Sequence, residues 1–164
     1  MQPFEAAPKI AGRSRALPLR ASKLPDNAYS VTKKVYFSDC SSTELLRATR
    51  SLDFMDRVLE DLFATELRVS YHALALERGM GILYASVDTD FFGPAHAGDN
   101  LVFTPLVSHI GRTSIVFVIH CHRGAEEIMR WRVVAVTTSL STNQAISMPS
   151  DIKDALIRYR DSYR

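Results

Sequence analysis

Phe37-Ser-Asp-Cys-Ser-Ser-Thr-Glu44, read with the run from Leu45 to Thr65, decides how this chain folds. The octet itself is polar and turn-forming. Before it, Val31, Lys33, Val35 and Phe37 alternate with Thr32, Lys34 and Tyr36, the two-residue period of a strand over Tyr29 to Phe37. After it, Leu45, Thr49, Leu52, Asp56, Leu59 and Phe63 recur at spacings of three and four, with Ala48, Met55 and Leu62 beside them. That spacing predicts a helix from about Thr43 to Thr65 with a broad buried stripe, and it turns Arg50, Arg57, Glu60 and Asp61 toward water.

Beyond this helix the chain reads mostly as β. Tyr71 to Arg78 fits a short helix closed by Gly79. Ile82 to Phe91, Asn100 to Ile110, Ser114 to Arg123 and Glu127 to Thr138 read as four strands. Gly93-Pro94, Gly98-Asp99, Gly111-Arg112 and Gly124-Ala125 punctuate them, the last two as short hairpins. Pro105 cannot donate to a ladder, so its position is expected at an edge, a bulge or a break. A last helix is expected from Pro149, with Ser150 or Asp151 near its start and Ile152, Leu156 and Tyr159 on one side.

The chain has 164 residues and is 46% hydrophobic, enough for one domain with its own core. A formal net charge of +2 implies neither a nucleic-acid nor a membrane partner. Cys40 and Cys121 are the only cysteines, which argues for a reducing, cytoplasmic setting rather than a disulfide scaffold. No apolar run approaches the roughly 20 residues that span a bilayer, and the N-terminus lacks the apolar core of a secretory signal. Residues 1–28 differ from the rest. Pro3, Pro8, Pro18 and Pro25 interrupt them, and Lys9, Arg13, Arg15, Arg20 and Lys23 make them basic. They read as a flexible arm, or as one that covers a partner subunit or attracts an anion, ahead of a domain over 29–164.

One long helix with an antiparallel sheet around it is an α+β arrangement, the hot-dog fold. The chain resembles the 4-hydroxybenzoyl-CoA thioesterase group of acyl-CoA thioesterases. The group's Phe-Gly-Asp-Cys-Asp entrance reads here Phe37-Ser38-Asp39-Cys40-Ser41. The Phe, Pro and Gly-Asp that end its first strand after the helix read Phe91, Pro94 and Gly98-Asp99. Gly111-Arg112-Thr113-Ser114 resembles its next hairpin, and Ala145 to Pro149 its closing strand and last helix entry. The match runs from about Val31 to Leu156. The resemblance implies an acyl-CoA or acyl-carrier-protein thioester as substrate and no cofactor. It also implies a homodimer joined through sheet edges, able to assemble into a homotetramer, with the active site between subunits near the helix start. Thioester hydrolysis builds negative charge on the carbonyl oxygen, and free N–H groups at a helix start stabilise such an oxyanion.

The resemblance departs at the chemistry. The group's catalytic Asp falls at Ser41, the glycine three residues later is Glu44, and the neighbouring positions of its helix entrance are Arg47, Ala48 and Thr49. Glu44 can supply the carboxylate from a shifted position, or Ser41-Ser42-Thr43-Glu44 can be a capping box. Asp56, expected inside the apolar stripe, can be a desolvated acid or base, or a hydrogen-bond anchor. Asp39 has the same two readings, with a turn-stabilising one in front. Ser41 as a nucleophile needs a base that the local sequence does not offer. In a further reading the site works without the usual carboxylate: it hydrolyses the thioester with water held by Ser41 and the helix N–H groups, or it holds a carrier-bound acyl chain and dehydrates it or only binds it. His96 can touch a ligand if its turn borders the cleft. Arg112 matches one basic position that contacts CoA phosphates in the group, but its neighbours Gly111 and Thr113 carry no charge. In His120-Cys121-His122 strand alternation separates the cysteine from the histidines and no third ligand is evident, so no metal site is expected. Trp131 reads as packing.

Overall fold

The computed structural model describes residues 16–164. Five antiparallel strands form one sheet: β1 (Val31–Lys34), β2 (Met80–Phe91), β3 (Asn100–Ile110), β4 (Ser114–Arg123) and β5 (Glu126–Ser139), in the order β1-β3-β4-β5-β2. Three helices accompany it: α1 (Ala48–Thr65), α2 (Tyr71–Arg78) and α3 (Ser150–Ser162). The curled sheet packs its inner face on α1, the hot-dog arrangement. Phe54 stacks on Phe103, Phe103 on Trp131, and Phe63 meets Phe117 edge-on. These rings with Val58, Leu59, Leu62, Ile115, Ile119 and Val133 make the centre of the core.

The short helix and hairpins follow local chemistry. The Ser70 side chain caps α2 by accepting from the Ala73 N–H at 3.0 Å, and Gly79 ends it at φ 60, a backbone region that suits glycine. Gly124, also at φ 60, opens the two-residue turn between Arg123 and Glu126. Pro105 lies within β3 opposite Ile119, beyond the point where β1 stops pairing at Phe103. There β3 is an effective edge, so the missing N–H costs no ladder bond.

Two sequence expectations need correction. The expected strand over Tyr29–Phe37 is regular only over Val31–Lys34, although Val35 continues to bond the loop before β3, through its N–H to Asp99 and its C=O to Gly98. The helix begins at Ala48, not near Thr43, because residues 40–46 close a small hairpin of their own. Its buried stripe is Ser51, Phe54, Met55, Val58, Leu59, Leu62 and Phe63. Leu52 and Asp56, expected inside that stripe, are exposed in the single chain.

The first fifteen residues of the arm expected over 1–28 lie outside the described residues. From Leu17 the arm crosses the outer face of β4 and β5. Glu127 is buried there and accepts from the Leu19 N–H at 2.6 Å, from His120 Nδ1 at 2.7 Å and from Arg130. His122 Nε2 donates to the Leu19 C=O, and Arg130 reaches the Leu17 C=O. Burial pushes the Glu127 carboxyl up, but these donors outweigh it and hold it at about 2. His120 and His122 thus face outward against the arm, while Cys121 is buried in the core.

Candidate functional site

Around the quoted octet the chain turns twice in ten residues. Phe37–Asp39 forms one 3-10 turn. Cys40 then bridges to Leu46, the Ser41 N–H donates to the Leu45 C=O at 2.8 Å, and the Glu44 N–H donates to the Ser41 C=O at 3.0 Å. Glu44 sits at φ 60, a conformation open to glycine and costly for a side-chain-bearing residue. The capping box expected from Ser41 and Glu44 is therefore absent: α1 starts behind Arg47, whose side chain does not cap it. The Ser41 hydroxyl instead bonds Thr43 Oγ1 at 2.8 Å.

The hairpin is clipped to the turn ahead of β3. The Leu46 N–H donates to the Ala95 C=O, the Ala97 N–H donates to the Glu44 C=O, and Leu45 bridges to His96. This brings Ser41, Glu44, His96 and the exposed start of α1 at Arg47, Ala48 and Thr49 to one end of the sheet. The His96 backbone is held by Asp99, whose carboxylate takes the His96 N–H at 2.8 Å and Arg123 at 3.0 Å. Burial raises the Asp99 carboxyl, but these donors prevail and hold it below the usual carboxylate range.

Asp39 is buried behind this turn. Its carboxylate accepts from the Tyr36 N–H at 2.9 Å and from Arg50 Nη2 at 2.9 Å and Nε at 3.2 Å. Burial raises it, and these donors more than offset that and lower it. Its main-chain oxygen takes the Arg47 N–H at 3.1 Å. Asp39 thus ties the 3-10 turn to the first turn of α1. Cys40, next to it, donates to the Tyr36 C=O at 3.5 Å, and burial raises its thiol, which makes it a poor nucleophile.

Asp56 lies two turns further along α1. Tyr84 of β2 donates to Asp56 Oδ1 at 2.6 Å. Burial raises the Tyr84 hydroxyl far above its ordinary value, with Tyr71 and Asp56 nearby adding to the effect, so it stays a donor at neutral pH. The expected desolvation of Asp56 inside the stripe gives way to an exposed carboxylate, one oxygen held by a tyrosine. The sequence reading missed Tyr84, although its phase with Ile82 on the strand placed both on the helix-facing side. It missed Arg50 as well, which a solvent-facing position concealed.

Arg112 stands apart from these residues. It lies in the β3–β4 turn, bonds Ser147 Oγ at 3.1 Å, and its main-chain oxygen takes the Met148 N–H. β3 runs from Asn100, beside the His96 turn, to Ile110. At roughly 3.3 Å per residue this sets Arg112 more than about 30 Å from the His96 turn in the same chain. Among the described residues no group of three or more His, Cys, Asp or Glu side chains is placed to hold a metal ion.

The fold has known counterparts. A 1,4-dihydroxy-2-naphthoyl-CoA thioesterase from Synechocystis superposes with a TM-score of 0.73 at 17% identity, covering 79% of this chain and 96% of that one. A gentisyl-coenzyme A thioesterase superposes with a TM-score of 0.71 at 16% identity, covering 78% and 99%. A Staphylococcus aureus protein in complex with CoA superposes with a TM-score of 0.77 at 10% identity, covering 92% and 90%. A search of curated proteins found no match. The sequence from residue 35 to 156 matches the thioesterase-like superfamily. That span holds the clipped hairpin, all of α1 and the whole of β2 to β5, and the chain belongs to the thioesterase-like superfamily.

Proposed function

We propose that this chain is a thioesterase that hydrolyses acyl-CoA thioesters in a cleft shared by two copies paired along β2. The Asp56–Tyr84 pair carries the reading. Tyr84 fixes one carboxylate oxygen of Asp56 on the side of α1 that faces the open sheet edge. The other oxygen can take a proton from water or attack the thioester carbon. The developing oxyanion needs donors, and the uncapped start of α1 supplies exposed N–H groups at Ala48 and Thr49.

These two parts cannot meet on one thioester within a single chain. Eight residues at roughly 1.5 Å of rise separate Asp56 from Ala48 by about 12 Å. A two-fold axis through β2 runs the two copies of α1 antiparallel and turns each helix start toward the other copy's Asp56. The same operation brings the far end of the partner, with the partner's Arg112, toward this chain's helix start. The reading is therefore a composite site in a homodimer, and the relatives that act on or bind CoA compounds support the substrate class. Free Cys40 and Cys121 suit a cytoplasmic setting. A carrier-bound acyl chain, dehydrated or only held, is the second reading, favoured by the uncharged Gly111 and Thr113 beside Arg112.

Thiol release from a panel of short, long and aromatic acyl-CoAs tests both. Asp56→Asn is expected to lower turnover by about 100-fold or more while Glu44→Gln changes it by less than about twofold. If the two variants exchange behaviours, the carboxylate at the helix start is the active one. If no thioester of the panel is cleaved while an acyl-carrier protein binds, the second reading replaces the first.

A further inference from the structure

We infer that the cleft between β1 and the first half of α1 is a phosphate site, which holds the phosphate-bearing end of the thioester substrate. This rests on the thioesterase reading for the identity of its ligand, but not for the existence of the site. The cleft has a volume of about 330 Å³, within the range of small-molecule sites. Thr32, Lys33 and Lys34 form one wall, and Arg50, Asp53 and Arg57 of α1 the other. The buried Phe54 also lines it, and Tyr36 with Ser38 and Asp39 complete the lining.

The charges in the cleft are not mutually satisfied. Arg50 takes both lining carboxylates, Asp39 at 2.9 Å and Asp53 at 2.6 Å. Lys33 is taken by Asp61 at 2.6 Å. Lys34 and Arg57 form no close ion pair among the described residues, although Arg57 is near enough to Asp39 to help lower its carboxyl, and both are exposed. Four cations thus face three carboxylates, a net charge of +1, and the two cations outside the ion pairs stand on opposite walls. A phosphate between them would accept charge-assisted hydrogen bonds from a guanidinium and an ammonium.

The aromatic side chains point to more than a bare anion. Tyr36 is 61% exposed and Phe37 beside it 66%. Large rings seldom stand this open, and here Lys34 already lies over the Tyr36 ring at 5.9 Å. Exposed rings beside cations are the combination that stacks a base while holding its phosphates. The position fits a substrate as well. Asp39, at one end of the cleft, holds the Arg47 N–H through its main-chain oxygen, so the cleft opens beside the helix start where the thioester carbonyl would lie. Finally, the β3–β4 turn offers only Arg112, already bonded to Ser147. A phosphate-rich ligand needs a second set of cations, and this cleft has one.

Calorimetric titration of the full chain with adenosine 3′,5′-bisphosphate tests the site without turnover. Wild type is expected to bind, more weakly as salt rises. Lys34→Glu with Arg57→Glu is expected to weaken that binding by about tenfold or more, the loss of about 1.4 kcal/mol. The milder Lys34→Gln with Arg57→Gln should weaken it less, and serves if the reversal lowers the melting temperature. With substrates, the reversal should lower kcat/KM for an acyl-CoA about tenfold relative to the same acyl group on pantetheine. A loss that extends to an acyl-carrier protein assigns the cleft to the shared pantetheine phosphate, and a loss confined to acyl-CoA assigns it to the nucleotide; both support the site. Unchanged bisphosphate binding in both double variants, or its abolition by Arg112→Gln alone, overturns it. A protein that binds the bisphosphate at the cleft but cleaves no thioester overturns the thioesterase reading and leaves the site standing.

Discussion

The two edges of the sheet are built in opposite ways. On the β1 side the long strand β3 is covered first by β1 and then by α3. β1 pairs β3 only from Asn100 to Phe103. Past that point α3 takes over: the Tyr159 hydroxyl donates to the Pro105 C=O at 2.5 Å, and the Val107 N–H donates to the Tyr163 hydroxyl at 2.7 Å. Lysines and an ion pair to Asp61 line what remains. At the other edge β2 runs for 12 residues with no strand outside it among the described residues, and Leu83, Val87 and Phe91 are exposed along it. Soluble proteins blunt the edges they leave free and keep long apolar ones for pairing. The contrast marks β1 as an edge closed from within and β2 as an open one, the edge along which the proposed dimer would pair.

The largest expected effect comes from breaking the open edge. Val87 lies opposite Val133 on the helix-facing side of β2 and is 36% exposed. In two copies paired antiparallel along β2, Val87→Asp sets like charges close to each other in an apolar seam. Light scattering should show the dimer mass falling to that of one chain, and turnover should fall by about 100-fold because the composite site is lost. An unchanged mass with unchanged turnover would move the interface elsewhere and remove the support for a shared cleft.

A smaller loss is expected behind the closed edge. Asp39 is buried and joins the Tyr36 N–H to Arg50. Asp39→Asn should cost about 2–3 kcal/mol in urea unfolding at pH 7, the range of charged hydrogen bonds. The folded carboxyl lies below its ordinary value of 3.8. Its contribution is therefore complete above about pH 4 and is lost as the pH falls through the folded value. The gap between wild type and variant should narrow only below about pH 4. A gap of constant size down to pH 2.5 would show that the neutral Asp39 anchors the turn equally well.

The contrast between the edges is not legible in the sequence, but most element boundaries are, and the illegible ones have a common cause. The glycines that end α2 and open the β4–β5 turn fix those boundaries because a positive φ is a local requirement. The strands between them follow from alternation. The start of α1 is not local. Ser41-Ser42-Thr43-Glu44 satisfies a capping box and a hairpin turn alike, and only the bonds to Ala95 and Ala97, some fifty residues away, select the turn. Asp56 fails for a related reason. Spacings of three and four fit two adjacent stripes on one helix, and the sheet decides which is buried. The cleft between β1 and α1 is out of reach altogether, since it exists only once two separate elements bring Lys34 and Arg57 to one cavity.

The smallest effect sharpens the account of how the β1 edge is closed. Tyr159 is buried, and its hydroxyl reaches the one carbonyl of β3 that belongs to a proline. Tyr159→Phe keeps the ring in its apolar seat and removes only that donor. The Pro105 oxygen would then lie buried with one partner fewer, which should lower stability by about 1–2 kcal/mol. The dimer should persist, because the change lies at the far side of the sheet from β2. Hydrogen exchange offers the finer reading. If α3 substitutes for a missing stretch of β1, the Val107 amide, held by the neighbouring Tyr163, should lose protection in the variant, while amides of β4 and β5 keep theirs. Equal loss across all three strands would mean that Tyr159 supports the core at large rather than sealing an edge.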